Sequence, residues 1–144
     1  MLISQTLEYA LRSIVFIATG AGQSYTTLQI SQATKVPQAY LSKVLQSLVK
    51  AKLIQSQRGL GGGFILNKVA KEIRILDVVN AVDPLERIKT CPLGIKSHGN
   101  DLCRLHKKLD ESLSIIEKDF ADTTLTDIIT NPTNVLPLCE KPVM

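Results

Sequence analysis

With 144 residues, 44% of them hydrophobic and 21% charged, the chain has material for one core of ordinary size plus an appended helix, which excludes a large enzyme. The net charge of +4 is unevenly spread: residues 1–90 hold eleven Lys and Arg against five Asp and Glu, whereas 91–144 hold six against eight. The basic half is therefore the candidate for a polyanionic partner. No apolar run approaches the roughly 18 to 20 residues that span a bilayer, and Met1-Leu2-Ile3-Ser4 lacks the basic-then-apolar order of a secretory signal, so a cytoplasmic protein is expected. In that reducing compartment three cysteines are too few for a disulfide framework, leaving packing, metal ligation or redox chemistry. Aromatic residues at 4%, with no Trp, argue against a stacking platform for single strands.

Leu7, Leu11, Ile14 and Ala18 step by four, three and four, the spacing of one helical face. After the break at Gly20-Ala21-Gly22, Thr26 and Gln29 form a capping box that starts a short second helix ending near Thr34. Pro37 suits the first turn of a third helix, with Leu41, Val44, Leu45 and Leu48 inward. Its outer face, Gln38, Ala39, Ser42, Lys43, Gln46 and Lys50, is polar and basic but not acidic, and Tyr40 joins it as a candidate DNA contact. Ile54 to Arg58 and Phe64 to Asn67 read as two strands joined by Gly59-Leu60-Gly61-Gly62-Gly63. Ile75 to Val82 has helical spacing and stops before Asp83-Pro84. A polar loop from Cys91 to Cys103 follows. Beyond it Leu102, Leu105, Leu109, Leu113, Ile116 and Phe120 mark a long amphipathic helix with little core left to join, which points to a second copy as its partner and hence a homodimer.

Helix, short helix, turn, helix and basic hairpin is the order of a winged helix-turn-helix, whose third helix enters the major groove. The expected fold is mainly α with one small β-hairpin: a DNA-binding domain over 1–83, a cysteine-containing loop over 84–104, a dimerisation helix with a following short helix over 101–130, and an extended tail over 131–144. Arg58 stands at the root of the glycine loop, where a guanidinium can enter a narrow minor groove. An ordinary hairpin turn does not require three adjacent glycines, so Gly59, Gly61, Gly62 and Gly63 read as backbone that passes close to phosphate. The glycines do not form a P-loop, because no Lys-Ser/Thr follows them and they lead into no helix. An enzyme is not expected: Cys-x-x-Cys is absent, neither His has a nucleophile beside it, and nothing marks a substrate pocket.

The segments Ala39-Tyr40-Leu41-Ser42-Lys43-Val44-Leu45, Arg58-Gly59-Leu60-Gly61-Gly62-Gly63-Phe64 and Ala81-Val82-Asp83 strongly resemble the Rrf2 (BadM/IscR/NsrR-type) family of bacterial winged-helix transcription regulators. The resemblance covers about residues 1 to 130 and implies a dimeric, sequence-specific DNA-binding regulator, read as a repressor, with promoter DNA as partner. Leu60 departs from it, since many members carry proline there. Sensory members hold an iron-sulfur cluster on three cysteines; Cys91 and Cys103 fit the outer two positions, and Ser97 stands at the middle one. The resemblance then implies a ligand set of Glu8, Cys91, Cys103 and His106 for a 2Fe-2S rather than a 4Fe-4S cluster, making the protein a sensor of cluster status, redox or nitric oxide. A zinc set of Cys91, His98, Cys103 and His106 is the alternative, since two thiolates and two imidazoles suit tetrahedral zinc. Cys139 is a free tail thiol, an oxidation partner or an extra ligand. A cluster-free regulator of the same fold, controlled by a protein partner, a metabolite or thiol oxidation, is the remaining reading.

Overall fold

The computed structural model describes residues 3–98 and 101–130. Its helices are α1 (Gln5–Thr19), α2 (Thr27–Thr34), α3 (Gln38–Lys50), α4 (Ile75–Val82), α5 (Arg104–Asp122) and α6 (Leu125–Ile129), with strands β1 (Ile54–Gln57) and β2 (Gly63–Leu66) between α3 and α4. Single 3-10 turns occupy Ala70–Glu72 and Lys96–His98. The expected tail and Cys139 lie outside the described residues.

Helix α1 is the hub. Ser4 caps it by accepting the Leu7 amide at 3.2 Å, and Ile14, Val15, Phe16, Ile17 and Ala18 are all buried, so its last turn is covered on every side rather than along one stripe. Helices α2, α3, α4 and α6 and strand β2 all pack on it. The expected capping box starts α2: Thr26 Oγ1 accepts the Gln29 amide at 3.2 Å, and the Gln29 carboxamide accepts the Thr26 amide at 2.9 Å. Pro37 sits at the N-cap of α3, one place before its first turn, and Leu41, Val44, Leu45 and Leu48 are buried as the spacing requires.

The strands pair antiparallel, with Ile54 opposite Leu66 and Gln57 opposite Gly63. Strand β1 ends one residue earlier than expected, because Arg58 belongs to the loop, while β2 keeps four residues but is shifted by one, taking in Gly63 and releasing Asn67. The Asn67 side-chain amide donates to the Lys52 carbonyl at 3.0 Å. A third segment joins this hairpin: Tyr25 pairs with Phe64 through two backbone hydrogen bonds of 3.0 and 2.7 Å. The wing is thereby fastened to the start of the helix-turn-helix.

The α5 stripe divides in two. Leu113, Ile116 and Phe120 are half-buried, and Phe120 packs on the core, whereas Leu105, Leu109 and Ile115 are exposed at 63%, 46% and 70%. Beyond α5 the chain folds back. Ile75 donates to the Thr123 carbonyl and Leu125 to the Ile73 carbonyl, both at 2.9 Å, and the Leu125 side chain is fully buried. Arg74 adds a guanidinium bond of 2.7 Å to the Ala121 carbonyl.

Candidate nucleic-acid interface and sensor loop

Burying Leu41, Val44, Leu45 and Leu48 forces the opposite side of α3 into solvent. Gln38, Ala39, Tyr40, Ser42, Lys43 and Gln46 are all exposed there. Tyr40 leans toward Tyr9 of α1, ring centroids 6.2 Å apart, and the Arg12 guanidinium lies 5.6 Å from the centre of the Tyr9 ring. This support for Tyr40 has no local sequence signal, since Tyr9 is one helix of an unrelated segment away. Lys50, the last residue of α3, and Lys52 and Arg58 after it are exposed. An acid-free helix face continuous with a basic hairpin suits a polyanion carrying base edges in a groove.

The wing glycines require a correction. A Cβ at Gly62 would lie 2.6 Å from the Gln57 carbonyl oxygen and 2.7 Å from that of Gly59. At Gly63, φ is +145° and a Cβ would run into the Tyr25 carbonyl. The hairpin itself therefore demands the adjacent glycines, contrary to the expectation that an ordinary turn would not, and their presence is no separate sign of phosphate. Ser24, whose hydroxyl donates to the Gly61 carbonyl, further braces the loop.

The cysteine loop is anchored from its N-terminal side. Arg87 makes a two-pronged ion pair with Asp110 of α5 at 2.7 and 2.8 Å, Asp110 also accepts the Ile88 amide at 2.9 Å, and Glu117 lies 3.5 Å from the same guanidinium. The hydrogen bonds from Arg87 hold the Asp110 carboxyl below its ordinary value, and the pairing raises Arg87. Cys91 follows four residues after Arg87, in a turn closed by the Gly94 amide on its carbonyl at 3.0 Å. Sequence reasoning did not find this clamp, whose halves are 23 residues apart.

Cys103 is the N-cap of α5, and its Sγ lies 3.4 Å from His106 Nδ1, one turn along. That is about the separation of a thiolate and an imidazole on one tetrahedral metal. His98 Nδ1 is buried without a hydrogen-bond partner among the described residues. Among the described residues, however, no three His, Cys, Asp or Glu side chains gather to hold a metal ion. Cys91, His98, Cys103 and His106 are thus not brought together as a zinc set within one chain. Glu8 is engaged by Arg12 at 3.0 Å. Cys103 and His106 are the one pair of candidate ligands that the structure brings together among the described residues.

No helix of the described residues is long and apolar enough to cross a membrane. In structure the chain is similar to CymR, the global cysteine regulator of B. subtilis, with a TM-score of 0.74 and 22% identity over 89% of this chain and 95% of that one. T. potens IscR gives 0.73 and 23% over 89% and 85%. In sequence it is 29% identical over 132 residues to a protein of Aquifex aeolicus named as an HTH-type transcriptional regulator, covering 90% of this chain and 92% of that one. A protein of Mycobacterium tuberculosis with the same kind of name is 30% identical over 130 residues, covering 89% and 81%. These relatives are regulators, not enzymes. The family model described as Rrf2, an iron-dependent transcriptional regulator, matches residues 3–131. The winged helix-turn-helix, its glycine hairpin and the long helix behind it place this chain in the Rrf2 family of DNA-binding transcriptional regulators.

Proposed function

We propose that the protein is a homodimeric repressor that reads two half-sites of promoter DNA and takes its signal at the loop between Cys91 and Cys103. The observation that carries the DNA reading is the exposed, acid-free face of α3 lying next to the basic wing. In it Gln38, Ala39, Tyr40, Ser42, Lys43 and Gln46 face the major groove, and Arg58 with Gly59, Gly61, Gly62 and Gly63 forms the wing that follows the neighbouring minor groove. The homodimer rests on the exposed Leu105, Leu109 and Ile115 of α5.

The signal reading rests on the Cys103–His106 pair, on the clamp that holds the approach to Cys91 against α5, and on the family's description as iron-dependent. Cys103 and His106 would supply two ligands of a 2Fe-2S cluster, with Cys91 drawn in by a movement of its loop and Glu8 contributed by a second copy; such a cluster supplies one-electron chemistry and lability toward oxidants. To serve as a ligand, Glu8 must exchange Arg12 for iron. The competing reading is thiol oxidation at Cys91 or Cys103, supported by the lack of a three-donor group among the described residues.

Two measurements test these readings. Selection of bound duplexes from random sequence, followed by footprinting, should yield paired half-sites whose centres are a whole number of helical turns apart. Binding without sequence preference removes the regulator's mechanism. Purification without oxygen, with iron, acid-labile sulfide and zinc measured per chain, separates the signals: iron with matching sulfide supports the cluster, and metal-free protein that still binds its operator moves the sensor to the thiols.

A further inference from the structure

Leu60 stands at the apex of the wing loop, and its side chain is fully exposed. Gly59 and Gly61 flank it with φ of +94° and +73°, and the Gly62 amide donates to the Gly59 carbonyl at 2.9 Å. That turn holds Leu60 outward, while the Ser24 hydroxyl on the Gly61 carbonyl and the Tyr25–Phe64 pairing brace it from behind. A scattered exposed leucine needs no special account. This one differs in position: it is the most exposed large hydrophobic side chain among the described residues, two residues from Arg58 and far in sequence from the apolar face of α5.

The apex is also slender. Glycine on both sides leaves one branched side chain projecting from bare backbone, a profile narrow enough to pass between the phosphate walls of a minor groove. Within that groove the floor is made of base edges and stacked base steps, against which a leucine loses its water and a cation at the rim meets phosphate. We infer that Leu60 is an apolar minor-groove wedge, pressing into the base step that faces the wing and bending the duplex toward the major groove. This rests on the DNA reading of the wing. Because unstacking is easiest at pyrimidine–purine steps, the wedge selects TA or CA/TG at that position without a hydrogen bond to any base.

The experiment uses the full chain and a duplex selected by the wild-type protein. Leu60→Ser, Leu60→Met and Arg58→Ala are compared for affinity across a salt series and for the bend of the bound duplex, measured by fluorescence transfer between its ends. Leu60→Ser is expected to weaken binding about tenfold with an unchanged salt slope, because no counterion is released by an apolar contact. It should also reduce the bend and abolish the preference for a pyrimidine–purine step, and Leu60→Met should restore both. Arg58→Ala should instead lower the salt slope by about one. The wedge is overturned if Leu60→Ser binds and bends as the wild type does, if it weakens every step at that position equally, or if it changes the oligomeric state instead. A wild-type protein that selects no duplex at all overturns the DNA reading of the wing and the wedge with it.

Discussion

Replacing Leu105 and Leu109 together by alanine removes the most exposed leucines of α5, whose side chains are left 63% and 46% bare by the single chain. A leucine wholly withdrawn from water gains roughly 1.5 to 3 kcal/mol, so the bare half of each corresponds to roughly 1 kcal/mol. Two such residues in each of two chains sum to roughly 4 kcal/mol per dimer, which raises the dimer dissociation constant about a thousandfold. Sedimentation equilibrium over a wide concentration range reads that shift directly, and far-ultraviolet circular dichroism checks that the chain keeps its helices. Operator binding should weaken with it and become steeper in protein concentration, since assembly then precedes DNA contact. A double variant that dissociates at the wild-type concentration, or a wild-type chain that is monomeric throughout, refutes α5 as the seam.

Gly63→Ala should disrupt the Tyr25–Phe64 pairing at a cost of about 1 to 3 kcal/mol, seen as a lower midpoint in urea; an unchanged midpoint would show that the wing does not need that close approach. Thr26→Ala removes the capping box of α2, costing about 1 kcal/mol and lowering Tm by roughly 2 to 8 °C, checked by calorimetry. The Asp110 carboxyl is held below its ordinary 3.8 chiefly by the hydrogen bonds from Arg87. Its clamp is therefore complete above pH 3.8 and is lost as pH falls through the lower value of the folded chain. Carbon-detected NMR titration of Asp110 should give a midpoint under 3.8, moving up in Arg87→Ala; a midpoint at or above 3.8 in the wild type contradicts the clamp.

The parts of this fold that are written locally were legible. Thr26 and Gln29 are three residues apart and announce their capping box; Leu41, Val44, Leu45 and Leu48 fix by spacing which side of α3 is inside, and so which residues a groove could meet. Contacts between distant segments were not legible, because no period links them. Tyr25 with Phe64 and Arg87 with Asp110 are such pairs, and so is Leu125, whose full burial comes from a five-residue helix that carries too short a pattern to show a face. The α5 stripe was legible as a stripe, but periodicity does not say what covers it, and its C-terminal member Phe120 turned out to rest on the chain's own core. The glycine run misled for a related reason: its need is set by the carbonyls of Gln57 and Tyr25, which only the folded hairpin brings near. Around the cysteine loop, Cys103 and His106 share one helical turn and could be paired from spacing, whereas the positions of Cys91 and His98 depend on the path of an irregular loop.

The fastening of Thr123 and Leu125 onto the strand-like entry to α4 gives α5 a fixed pivot at its C-terminal end. With 19 residues the helix is a lever of about 28 Å. A rotation of about 10° around that pivot, the size of an ordinary rigid-body adjustment, carries the Cys103 end through about 5 Å. A displacement at the cysteine loop would therefore act where the helix has the longest travel, at the opposite end from the backbone bonds that hold it to the entry of α4.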